Sequence, residues 1–395
     1  MFPALQEFVN ERALAYLDNA STTQKPQPVI DAIVRGYSRS ANVHRGVYAW
    51  SAAATMAHEG VRARVAAWLG AQPNELIFTA GTTDGLNLAC HGLRNLVRTG
   101  DRILISALEH HANLVPWQWL CGERGAELRV LPIDGAGRVR RAAFESELRH
   151  HPPRILAISH MSNALGSILP VAWMAERARS VGAKVIVDGA QAVAHLPVDV
   201  GALGCDAYAF SAHKMFGPDG VGVFWARSEL LDEMQPFRRG GDMIESVSFQ
   251  DTVVAPAPAK FEAGTPPIAG ILGLGAAVDF VDGLDREGIA EHESRLLERT
   301  RSGLERIPGV RVIGDGEDQG PVVSFIVDGV HPHDVGTVLD REGVAVRAGH
   351  HCAEPLMDAL KLEGGTVRAS FALYNRLEEV ERLLGAVERA RSLFA

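Results

Sequence analysis

The pattern that most limits how this chain can fold is the alternation of short apolar runs with amphipathic, helix-like stretches through its first two thirds. The runs at 76–79, 102–106, 128–131, 154–159, 184–188, 207–211 and 221–225 are too short for typical helices and carry little charge. Such runs read as strands buried on both faces, and the stretches between them, such as 171–181, read as crossover helices. The pattern predicts an α/β fold built on a mostly parallel, seven-stranded sheet. Only a glycine-rich loop separates the last two runs, so the final strand is free to run antiparallel.

A chain of 395 residues exceeds what one hydrophobic core usually organises. We expect a large domain over 17–265 and a smaller α+β domain from 1–16 together with 266–395. Near the boundary lies the Pro-rich passage Ala255-Pro256-Ala257-Pro258. Beyond it the sequence predicts a long helical stretch from about 269 to 307, strands at 322–327, 344–347 and 367–371, and a closing helix over 377–393.

The net charge of −9, without a basic run, argues against a nucleic-acid partner. No segment is apolar for long enough to span a bilayer, and the first residues lack the basic start and apolar stretch of a secretory signal. A reducing cytoplasm is therefore expected. The four cysteines, Cys90, Cys121, Cys205 and Cys352, form no CxxC pair and match no metal or disulfide pattern. Cys90, Cys121 and Cys205 read as small buried hydrophobes. Cys352 stands apart in the turn Gly349-His350-His351-Cys352-Ala353-Glu354-Pro355, where neighbouring Arg347, His350 and His351 favour a thiolate.

Taken alone, Lys214 in Ser211-Ala212-His213-Lys214 reads as a solvated loop cation. Its company changes that. Asp188 ends the 184–188 run, and ligands of open α/β sheets sit at the carboxyl ends of strands. Gly81-Thr82-Thr83 follows another run and opens a helix, which suits a phosphate. A lysine for a Schiff base, a carboxylate for a pyridinium nitrogen and a phosphate cradle together point to pyridoxal 5′-phosphate (PLP).

Nine segments, lying in order along nearly the whole chain, carry a more specific likeness. They are Tyr16-Leu17-Asp18-Asn19-Ala20, Asn42-Val43-His44-Arg45-Gly46, Gly81-Thr82-Thr83-Asp84-Gly85, Glu109-His110-His111-Ala112-Asn113, Ser162-Asn163-Ala164-Leu165-Gly166, Val187-Asp188-Gly189-Ala190-Gln191, Ser211-Ala212-His213-Lys214, Phe261-Glu262-Ala263-Gly264-Thr265-Pro266-Pro267-Ile268 and Arg347-Ala348-Gly349-His350-His351-Cys352. Through them the sequence resembles the Suf-type (group II) cysteine desulfurases, PLP enzymes of fold type I related to class V aminotransferases. Asp84 departs from the glutamate more common in that family.

The resemblance implies a role for each matching residue. Lys214 carries the cofactor and removes the substrate Cα proton, Asp188 pairs with the ring nitrogen, and Gln191 bonds the ring's phenolic oxygen. His110 stacks on the ring and shuttles protons, though the doublet leaves His111 as an alternative. Thr82, Thr83, Ser211 and His213 hold the phosphate, and Asn163 contacts cofactor or substrate. Thr265 reaches the phosphate of a partner subunit, which implies a homodimer. Arg368 grips the substrate carboxylate with Arg347 as second candidate, and His44 and Arg45 are further substrate contacts. Cys352 takes sulfur from L-cysteine as a persulfide, leaving alanine, and a small Suf-system acceptor protein removes it for iron–sulfur cluster assembly. L-Selenocysteine is a further candidate substrate. An aminotransferase or a kynureninase-like enzyme would use Lys214 and Asp188 but not Cys352, and a non-catalytic scaffold would need none of them.

Overall fold

A computed structural model of the chain describes residues 1–314, 316 and 318–394. The seven apolar runs become β1 Leu76–Thr79, β2 Arg102–Ser106, β3 Glu127–Leu131, β4 Ile155–Ser159, β5 Lys184–Asp188, β6 Ala207–Ser211 and β7 Gly222–Ala226. They form one sheet in the order β1-β7-β6-β5-β4-β2-β3. β7 alone runs antiparallel to both of its neighbours, and the remaining pairs are parallel. Every residue of β1, β4, β6 and β7 is buried, as expected of strands covered on both faces. Two apolar clusters fill the two sides of the sheet, one built around Leu156, Val187 and Phe210, the other around Ile105, Ala157 and Phe224.

The register sets strand ends side by side. Ser159 lies opposite Asp188, Asp188 opposite Ala209, and Gly222 pairs with both Ser211 and Thr79. One edge of the sheet thus gathers the polar ends of β1, β4, β5 and β6. Helix α1 (Thr82–Gly92) starts just beyond β1 and α2 (Val115–Arg124) lies beyond β2.

A second, antiparallel sheet of four strands follows: β8 Val310–Ile313, β9 Val322–Val327, β10 Arg347–Gly349 and β11 Thr366–Ser370, in the order β8-β9-β11-β10. It has its own apolar cluster, in which Val323, Phe325 and Val367 pack against the closing helix Leu377–Phe394. Two expectations are corrected here. The helical stretch from 269 to 307 is two helices, Ile268–Asp282 and Arg286–Leu304, because Asp285 caps the second by accepting the Gly288 N–H at 3.1 Å. The single strand at 344–347 is also divided. Val344–Ala345 pairs in parallel with Ala15–Tyr16, and only after Val346 does the chain join β11. Hydrophobic runs report burial, and burial on two sheets in succession looks like one run.

Candidate active site

At the polar edge of the large sheet lies a cavity of about 220 Å³. Lys214, in a short turn after β6, and Asp188, at the end of β5, face it together with Gln191 and Ser159. Thr82, Thr83, Ser211 and His213 line it from α1 and the β6 end. Asn163 and His110 close one side, and Arg347 and Arg368 of the second sheet close another. Most residues singled out in the sequence therefore converge on one place.

Burial tunes the charges there. Burial lowers the Lys214 ammonium to about 8, and the guanidinium groups of Arg368 and Arg347 push the same way against the pull of Asp188. A lysine of this kind, lining the cavity with its ammonium form disfavoured, is a ready amine nucleophile and base near neutral pH. Asp188 is only 5% exposed and accepts a single hydrogen bond, from the Ala190 N–H at 2.9 Å. Burial raises its carboxyl pKa, with the Ala190 N–H and Lys214 opposing. A buried acceptor with so few donors fits a pyridinium N–H.

The anion cradle follows from backbone packing. Gly81 has φ +151, and a Cβ there would sit 3.1 Å from the Ser211 oxygen. A Cβ on Gly222 would come within 2.4 Å of the Gly81 Cα, so two glycines let the start of α1 meet the end of β6. The Thr82 N–H donates to Ser211 Oγ at 2.8 Å, and the Thr82 and Ser211 hydroxyls are 2.8 Å apart. N–H groups at a helix start beside hydroxyls suit a phosphate. The lysine, the buried carboxylate and this cradle fit PLP.

His110 rather than His111 faces the cavity. His110 Nδ1 accepts the Ala112 N–H at 3.0 Å, which puts the proton of the neutral ring on Nε2. Burial, then Lys214, lowers its pKa to about 3, so the ring is neutral. Its loop is anchored by buried Glu109, whose carboxylate accepts from Ser106 Oγ, Ser159 N and Oγ, and Asn113 Nδ2. Burial raises Glu109 to about 7 against these bonds.

Arg347 and Arg368 stand directly opposite each other on β10 and β11. Like charges so placed repel, and burial lowers the Arg368 pKa. Arg368 is 1% exposed; it donates to Asn163 O at 2.8 Å, Asp18 Oδ1 at 2.9 Å and Ser21 Oγ at 2.8 Å. Among the described residues its Nε has no acceptor, and the buried Asn163 Oδ1 has no donor. Two cations against one carboxylate leave room for a second anion of carboxylate shape. Asp18 and Ser21 received no role from the sequence, although Asp18 lies in one of the matching segments; only the pairing of distant strands brings them here.

Cys352 is half-buried, with Sγ 3.4 Å from Arg347 NH2. It lines a neighbouring cavity of about 580 Å³, walled by Trp119, Val115 and Phe237, that shares Thr83, His110 and Ala112 with the first. Of the cations expected to aid the thiolate, only Arg347 makes a hydrogen bond to the sulfur. His351 turns inward to Thr366 Oγ1 at 2.8 Å, and His350 lies within 3.3 Å of Glu363 O. Cys90, Cys121 and Cys205 are buried, and burial raises their thiols to about 12, 11 and 12.

Besides Cys352, three expected site residues lie outside the central cavity. Thr265 lines a separate cleft with Asp84 and Arg238. His44 contacts Glu59 at 3.0 Å and Arg45 pairs with Asp242 at 2.8 Å, both on the exposed surface. Carboxylates of Glu59 and Asp242 hold these two side chains outside that cavity.

A family model for class-V aminotransferases matches residues 15–383. A cysteine desulfurase of Synechococcus elongatus is 47% identical, the match covering 99% of this chain and 63% of that protein. A probable cysteine desulfurase of Vibrio cholerae is 45% identical, with 99% of this chain and 97% of that protein covered. Among solved structures, apo cysteine desulfurase from Thermococcus onnurineus superposes with a TM-score of 0.93 at 38% identity, covering 99% of this chain and 98% of that one.

Proposed function

The chain belongs to the class-V aminotransferase family and, within it, to the PLP-dependent cysteine desulfurases; from that premise we propose that it converts L-cysteine to L-alanine, with Cys352 taking the sulfur. The observation that carries this reading is the opposed pair Arg347 and Arg368, a carboxylate site with a thiol 3.4 Å from one of its guanidinium groups. An amino acid held there by its carboxylate would have the Cys352 thiol beside its binding site.

Lys214, Asp188, Gln191, Thr82, Thr83, Ser211 and His213 are the residues that would hold PLP. Bound there, PLP supplies a sink for the electrons released when the substrate Cα proton is removed. The neutral amine of Lys214 takes that proton, and the Asp188 carboxylate holds positive charge at the ring nitrogen. His110 keeps a proton on Nε2 at the cavity wall, available to the reacting atoms. Arg368 and Arg347 fix the substrate carboxylate. The Cys352 thiolate then attacks the substrate sulfur: the new S–S bond forms as the C–S bond breaks, and carbon takes its electron pair and a proton. L-Cysteine and the Cys352 thiol thus become alanine and the Cys352 persulfide.

We further propose a homodimer in which Thr265 serves the partner's phosphate site. Its support is the apolar surface left exposed at Val47, Trp50, Met56, Val247 and Phe249. The division into 17–265 and 1–16 with 266–395 is likewise our reading, supported by the separate apolar cluster under the second sheet. A small Suf-type acceptor protein, iron–sulfur cluster assembly as the destination and L-selenocysteine as an alternative substrate complete the proposal. A cytoplasmic site of action is part of the same reading; no helix among the described residues is long and apolar enough to cross a membrane. Purified protein supplied with PLP, L-cysteine and dithiothreitol should release alanine and sulfide in equal amounts. Keto acid in place of alanine would point to an aminotransferase.

A further inference from the structure

The turn that carries Cys352 has unusual backbone. His351 and Cys352 have φ +55 and +56, two successive left-handed residues, neither of them glycine. Side chains with a Cβ disfavour that conformation, and turns built on two such residues usually place Gly, Asn or Asp there, so bonds in and around the turn must maintain it. The Ala353 N–H donates to His350 O at 2.9 Å and closes the turn over both residues, and three further bonds come from outside it. Asn163 Nδ2 donates to His351 O at 2.7 Å. The other two come from one residue: the His111 N–H donates to Cys352 O at 2.8 Å, and His111 Nε2 accepts the Glu354 N–H at 3.2 Å. His111 therefore brackets Cys352, fastening the carbonyl of the cysteine itself and the N–H two residues beyond it. His110, the adjacent residue, lines the central cavity.

We propose that His111 is a positioning residue that fastens the Cys352 turn to the cofactor-side loop, fixing where Sγ stands relative to the substrate sulfur. Resting on the assignment of Cys352 as the sulfur carrier, the proposal adds the device that aims it. The backbone bond survives any side-chain change, but the ring's acceptor does not. Without it the Glu354 N–H, which opens the short helix Glu354–Ala359, loses its partner, and the two left-handed residues lose one of their restraints. Small displacements of a nucleophile have large kinetic consequences. The ring does not touch the carboxylate site of Arg368, so substrate capture is independent of it.

The test compares His111→Ala and His111→Gln, whose amide oxygen offers an acceptor again, in the PLP-loaded protein. For His111→Ala we expect kcat for alanine formation from L-cysteine to fall roughly tenfold or more, with KM and the visible absorption of bound cofactor unchanged. His111→Gln should recover a large part of kcat. Hydrogen exchange at the Glu354 amide should quicken in His111→Ala and reads the fastening independently of catalysis. Unchanged kcat with unchanged exchange overturns the proposal. Loss of cofactor absorption parallel to kcat also overturns it, because His111 would then act on the cofactor. If His111→Ala is insoluble, His111→Phe, which keeps the ring's bulk without the acceptor, carries the same comparison. Cys352→Ala run alongside separates the two readings: full desulfuration by that variant removes Cys352 from the reaction, whereas an inactive Cys352→Ala beside a fully active His111→Ala overturns the fastening alone.

Discussion

Replacing Arg368 by lysine tests the carboxylate site with the least collateral change. Lysine keeps a positive charge for Asp18, which Arg368 contacts at 2.9 Å, so the half-buried carboxylate is not left without a cation. What lysine cannot supply is the planar fork that already spans Asn163 O, Asp18 and Ser21 while leaving Nε without an acceptor. Losing one charge-assisted hydrogen bond to a substrate carboxylate costs about 1.5–3 kcal/mol. At 1.4 kcal/mol per factor of ten, kcat/KM for L-cysteine should fall roughly 10- to 100-fold. Steady-state alanine formation over a range of L-cysteine concentrations measures it, with the loss expected chiefly in KM. Cofactor absorption should be retained, since Lys214 and Asp188 are untouched. An unchanged kcat/KM would show that Arg368 is a structural partner of Asp18, leaving Arg347 to hold the carboxylate. A loss of cofactor matching the loss of activity would show that the cavity itself had collapsed.

Cys352→Ala should retain cofactor and lose desulfuration of L-cysteine by orders of magnitude, while L-selenocysteine, whose C–Se bond is weaker, should suffer much less; equal losses measured by alanine release would make Cys352 a pocket-shaping residue. Because burial lowers Lys214 to about 8, its free amine accumulates as pH rises through that value, so uptake of PLP by apoprotein should accelerate between about pH 7 and 9 and then level off. A rate still climbing at pH 10, near the ordinary lysine value, would contradict that environment. Phe249→Asp, in the exposed hairpin of Ile244–Val247 and Thr252–Val254, should shift the protein towards monomer in light scattering. An unshifted dimer would place the interface elsewhere.

The large sheet and the residue types at its edge were legible along the chain. Continuous apolar runs are the local signature of strands buried on both faces, and Lys214, Asp188 and Gly81-Thr82-Thr83 stand at or just beyond the ends of such runs. Their meeting point could be read because register in a buried sheet follows from burial. Packing between distant segments supplied the rest. It chose His110 over His111 for the cavity, since a doublet offers both residues to the same local pattern and only the bond from Ala112 and the turn at Cys352 distinguish them. It set Arg347 against Arg368 and brought Asp18 and Ser21 to the same guanidinium, across more than 300 residues of chain. It also sent His44 and Arg45 to surface carboxylates and divided 344–349 between two sheets. Periodicity records which face of an element is buried but not what it is buried against, and the pairing of remote strands supplies that second half.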